Sequence, residues 1–126
     1  MNEIALKIFV VVCSLTAIFH VLVAFGLPWG RFTQGGQHDG RLPTRGRVTA
    51  VASAIILVLF IIVALTRSGR ILLDYTNVSH TAMWVVTAYM ALGVVLNAIS
   101  RSKAERNLWT PVVLILLLCS LVLSTN

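Results

Sequence analysis

Four long apolar segments separated by short loops occupy almost the whole of this 126-residue chain, and they determine the solvent in which it can fold. The segments cover residues 4–27, 48–66, 80–100 and 108–125, or 24, 19, 21 and 18 residues. As helices these would be about 27 to 36 Å long, against a hydrocarbon core of about 30 Å, so each is long enough to span. The sequence therefore predicts an all-α, polytopic membrane protein, an up-down bundle of four transmembrane helices forming a single domain over residues 1–126.

Composition supports that reading. With 58% hydrophobic residues, 11% charged residues and a mean hydropathy of +0.92, there is too little polar surface to coat a soluble domain. The formal charge of +6 does not point to nucleic acid, because the ten Lys and Arg sit almost entirely at the ends of apolar segments, where membrane flanks need them. Cys13 and Cys119 fall inside apolar runs and read as small buried residues. The first segment is expected to be a retained span: its apolar stretch is longer than the core of a signal peptide, and only Lys7 precedes it as a positive charge.

Orientation follows from the distribution of positive charge. Arg31, Arg41, Arg45 and Arg47 lie in loop 1 and Arg101, Lys103 and Arg106 in loop 3, against Lys7, Arg67 and Arg70 on the opposite side. Lys- and Arg-rich short loops stay in the cytoplasm, so loops 1 and 3 are expected there and both termini outside. Pro28 is expected to end the first span near Trp29-Gly30, and Pro111 to lie in the first turn of the fourth, where it would cost no hydrogen bond. Trp29, Trp84 and Trp109 fit the positions of interfacial anchors. Ala50, Ser53 and Ala54 share one face of the second span and permit close helix approach, as does Gly93 in the third.

Loop 1, residues 28–47, holds five Gly and four Arg and shows no helical run. Consecutive backbone N–H groups in such a segment can form an anion-binding nest, and its arginines can add bidentate contacts to phosphate or carboxylate. A plainer role is a basic linker facing anionic lipid. The Gly-Lys-Ser/Thr ending of a nucleotide-binding loop is missing.

Within the spans, His20 is the one deep titratable side chain, about 10 Å from the end of its segment, where a polar group must face protein or water. Tyr89, Gly93, Asn97 and Arg101 step by four along one face of the third span toward the same membrane side. His20, Asn97, Trp29 and Arg101 are therefore expected to form a polar pocket roofed by loop 1, with Arg31, Arg45 and Arg101 supplying charge, the Gly35-Gly36 backbone supplying donors, and His20 and Asn97 orienting a ligand. Plainer roles for His20 and Asn97 are a core hydrogen bond and interhelical glue. No metal or cofactor is expected, since His38 and His80 lie far from His20 in the chain's expected topology. No catalytic residue is expected either, since no carboxylate lies within a span and no nucleophile sits beside a base.

Small multidrug exporters share this length and number of spans, but their membrane-embedded Glu is missing, since Glu3 precedes the first span; the third-span motif of dual-topology fluoride channels is missing too. The chain does resemble a group of uncharacterised small integral membrane proteins of bacteria. The resemblance is carried by Gly26-Leu27-Pro28-Trp29-Gly30 with Gly35-Gly36 and Leu42-Pro43, and by Asn97-Ala98-Ile99-Ser100-Arg101-Ser102 with Glu105-Arg106 and Trp109-Thr110-Pro111. It implies a bacterial inner (plasma) membrane and names no activity. The expected function is non-enzymatic binding of an anionic ligand or lipid head group at the cytoplasmic end, with membrane lipids as partners and a homo-oligomer as an option. The alternatives are a small oligomeric transporter or channel using His20, or an accessory membrane subunit.

Overall fold

A computed structural model describes residues 2–34 and 40–125, with the side chains of Asn2 and Arg31 outside that description. It contains four long helices: α1 (Asn2–Ala24), α2 (Thr44–Arg67), α3 (Thr76–Ala98) and α4 (Lys103–Thr125). Single 3-10 turns occur at Gly30–Phe32 in loop 1 and at Leu73–Tyr75 before α3. All four long helices are apolar and long enough to cross a membrane. Each packs along its neighbour in sequence, and α1 closes the ring against α4, giving an up-down four-helix bundle. Large apolar side chains stay on the outside, Ile4, Leu15, Val48, Ile55, Val85 and Leu118 among them, as expected where lipid rather than water is the solvent.

The helix ends differ from the expected spans in ways that local chemistry explains. α1 stops at Ala24, before Pro28 can act, because Gly26 takes a left-handed φ of +107° and closes the helix: its N–H bonds to Val23 O, and the Leu27 N–H bonds to Leu22 O. This paired bonding satisfies the last carbonyls of the helix and is cheap only at glycine. The same device ends α2, with Gly69 at φ +75°. At the other end α2 starts at Thr44, so the last four residues assigned to loop 1 form its first turn. α4 starts five residues earlier than the hydrophobic run, because Ser102 Oγ accepts the N–H of Glu105 and caps the helix. Pro111 therefore sits in the third turn rather than the first, and the carbonyl of Asn107 loses its helical partner.

The main core fills the half of the bundle farther from loops 1 and 3. Phe9, Cys13, Met83, Val86, Leu116 and Leu123 are buried there together. Thr87 and Ser124, both buried, share a hydrogen bond of 2.9 Å that ties α3 to α4. On the surface of that end Arg70 pairs with Glu3, joining the start of α1 to the turn after α2.

Candidate functional site

Toward loops 1 and 3 the packing changes. Tyr89, Gly93 and Asn97, four residues apart on α3, face a cavity of about 280 Å³ shared with Thr16 and His20 of α1, Ser53 and Leu57 of α2, and Glu105, Trp109 and Leu116 of α4. Phe32, Thr33 and Gln34 of loop 1 complete the wall. Tyr89, Leu92 and Leu96 are exposed as well as lining, so the cavity reaches the outer surface along the seam between α2 and α3. Below the cavity Phe60 and Tyr89 bridge that seam edge to face, with centroids 4.9 Å apart.

Loop 1 is held down by several contacts. The indole Nε1–H of Trp109 donates to Phe32 O, and Gln34 Nε2 donates to Gly46 O at 2.8 Å. The Gly30 N–H donates to Gly40 O at 2.9 Å, which brings the two described limbs of the loop together. Leu42 then packs into a small second core with Val23 and Ala50. Ala50 and Ala54 are buried on the small-residue face of α2, and a Cβ on Gly93 would lie 3.1 Å from Val113, so both small-residue positions do permit close approach.

The polar groups of the cavity are unevenly satisfied. Thr16 and Asn97 bond within their own helices, Thr16 to Val12 O at 2.8 Å and Asn97 Nδ2 to Gly93 O at 2.7 Å. Asn97 is therefore not bonded to His20, and its carbonyl oxygen and second N–H remain for other partners. The His20 ring lies edge to face against Phe19 (5.3 Å) and roughly parallel to Trp109 (6.5 Å). Its Nδ1 is enclosed and without a hydrogen-bond partner. An enclosed N–H without an acceptor costs more than an enclosed lone pair, so the tautomer that fits carries its proton on Nε2 and presents a donor to the cavity. Glu105 is buried on the first turn of α4, where its carboxylate favours the positive end of the helix dipole.

The expected site residues are thus divided. His20 and Asn97 meet at one cavity under loop 1, whereas Trp29 does not line it; it is partly exposed and stacks on Phe19 at 6.1 Å. Arg45 and Arg101 are exposed and outside the cavity, because Arg45 projects from the first turn of α2 and Arg101 follows the end of α3. Gly35 and Gly36 lie outside the described residues; Arg31 is described only in its backbone, within the 3-10 turn. Among the described residues, the charged side chain that lines the cavity is Glu105, and the rest of the wall is apolar with a few hydrogen-bonding groups. Glu105 was legible in principle, since Ser102-x-x-Glu105 is a capping box that places it on a helix. Among the described residues no three His, Cys, Asp or Glu side chains converge as a metal site would need.

The fold and the lipid-facing surface define a small four-helix, multi-pass membrane protein. The chain matches no family model, no curated protein and no solved structure.

Proposed function

We propose that this protein is a non-enzymatic binding protein of the bacterial plasma membrane, taking up a small amphiphile whose uncharged, oxygen-bearing head enters the cavity from the lipid along the α2/α3 seam. The observation that carries the reading is the lateral opening of a hydrogen-bonding cavity into the apolar exterior between Ser53, Leu57, Leu92 and Leu96. Ligand sites are mostly apolar hollows with a few converging polar groups. A dry cavity of about 150 Å³ accepts benzene, so 280 Å³ is enough for a substituted ring or a compact head. His20 Nε2–H donates to an oxygen of the head, and Asn97 both donates and accepts. Negative charge on a ligand belongs outside the cavity, at the membrane end where seven of the ten Lys and Arg gather. The positive-inside pattern puts this end in the cytoplasm.

The test uses decyl-benzoquinone, a neutral ring with two carbonyl oxygens, added to the full chain in liposomes. With Trp29 and Trp84 replaced by Phe, Trp109 reports from the cavity wall, and its fluorescence is expected to be quenched saturably. In His20→Phe with Asn97→Leu the saturable component disappears while linear quenching by partitioned probe persists. Purely linear quenching in both proteins removes the proposal. A reporter fused after Thr125 that is active only in the cytoplasm would reverse the orientation.

A further inference from the structure

We propose a second, separate site on the opposite side of α1, which holds one anionic phospholipid with its phosphate under Arg41 and Arg47 and an acyl chain in the groove between α1 and α2. Two independent observations meet there. The first is a convergence of charge over Gly26: a Cβ on that glycine would lie 2.6 Å from an Nη of Arg41 and 2.7 Å from an Nη of Arg47. The sum of those distances, 5.3 Å, is the largest separation the two guanidinium nitrogens can have. Neither arginine is ion-paired among the described residues, and Arg47 has only its Nε committed, to Leu42 O at 3.2 Å. Two like charges this close repel each other, and α2 adds to the imbalance, because its first turn carries Arg45 and Arg47 with no acidic residue and no side-chain cap. A phosphate accepts from both guanidinium groups at once and relieves that repulsion. Gly26 permits the approach twice over, by its left-handed φ and by having no side chain in the way.

The second observation is an almost wholly apolar groove of about 550 Å³ on the outer face, walled by Ile18 and Val21 of α1, by Phe25 just beyond its end, and by Val51, Ile55 and Val58 of α2. Helical register joins it to the arginines: Val51 stands one turn below Arg47 and Val58 two turns below that, on the same stripe. Phe25 adjoins Gly26 at the upper end. From residue 18 to residue 25 the groove runs about 10 Å along the helix axis, from the interface into the hydrocarbon. Charge above and a continuous apolar channel below match a membrane phospholipid and not a soluble anion. This site shares no lining residue with the cavity of His20, so the failure of either leaves the other standing.

The full chain, purified in mild detergent and examined by native mass spectrometry, is titrated with phosphatidylglycerol and with phosphatidylcholine. One phosphatidylglycerol per chain is expected to be retained preferentially, and Arg41→Gln with Arg47→Gln is expected to weaken that retention roughly thirtyfold. Arg101→Gln with Lys103→Gln, which removes equal charge at the same end but away from the groove, is expected to change it less than threefold. Val58→Trp, which fills the groove without touching the arginines, is expected to release the lipid, and glycerol phosphate at millimolar concentration is expected not to displace it. Equal retention of the two lipids, or equal loss in the two charge variants, overturns the site as a whole. Displacement by glycerol phosphate, or unchanged retention in Val58→Trp, overturns the acyl-chain half and leaves an anion site only.

Discussion

The two ends of this bundle are built on different principles. At the end carrying the chain termini and loop 2, apolar side chains form the main core: Phe9, Cys13, Met83 and Leu116 are buried together, and the buried hydroxyls of Thr87 and Ser124 satisfy each other. At the end carrying loops 1 and 3 the helices leave a 280 Å³ cavity, open at the α2/α3 seam and roofed by a loop fastened through Trp109 and Gln34. The difference separates stability from recognition. Close packing at one end can hold four helices together while the other end keeps unfilled space and unsatisfied polar atoms, which a binding site requires and a core avoids.

Removing the largest enclosed side chain of the packed end should show that separation most strongly. Phe9→Ala is expected to destabilise the folded state by about 3–5 kcal/mol, read as a large fall in thermal midpoint in detergent, whereas Leu96→Ala at the cavity rim should stay within about 0.5 kcal/mol. Equal effects would mean that the hollow end contributes as much cohesion as the packed one. Next in size is the loop fastener. Trp109→Phe keeps an aromatic ring but loses the pyrrole N–H donated to Phe32 O, at a cost of about 1 kcal/mol for the hydrogen bond, and amide exchange at Thr33 and Gln34 should quicken. Protection that persists there would assign the loop's order to Leu42 packing instead.

The hydroxyl pair of the packed end should be worth less. A double-mutant cycle with Thr87→Val and Ser124→Ala is expected to give a coupling of about 0.6 kcal/mol, within the range found for hydrogen bonds between membrane helices. A value near zero would leave packing alone as the tie between α3 and α4. Smallest of all is the exposed pair at the same end: Glu3→Gln should leave the thermal midpoint unchanged, because exposed ion pairs gain little over their hydrated separate charges. A measurable drop would show that the surface of that end carries stability as well as its core.

Part of the site could be read from residue spacing. Tyr89, Gly93 and Asn97 share a face at intervals of four, and His20 is the histidine of α1 near its loop 1 end, so their meeting at one membrane side follows from helical period and span direction. Glu105 was open to the same kind of reading through its capping box with Ser102, but the hydrophobic run beginning at residue 108 draws attention away from a helix start that lies among charges. The end of α1 shows the reverse: Pro28 is the louder signal, yet Gly26 acts first because a left-handed residue terminates a helix from within. Trp109 resisted sequence reading altogether. An indole near a span end fits an interfacial anchor, and only the return of loop 1, whose Phe32 is 77 residues away, turns it into a fastener. Arg41 and Arg47 were visible as charge but not as a pair, since their convergence depends on Gly26 being beneath them.

By itself the sequence determined that there are four membrane-spanning helices, that consecutive helices run in opposite directions, and that most positive charge collects at one end. These properties follow from apolar length and charge count, which are local and survive any rearrangement of the helices about one another. Which faces meet was decided by tertiary structure alone. A cavity shared by His20, Asn97 and Glu105, a tryptophan bonded to a distant loop, and two guanidinium groups gathered over one glycine each require residues far apart in the chain to be placed within a few ångströms. Such placement is set by the packing of all four helices at once, which no single segment encodes.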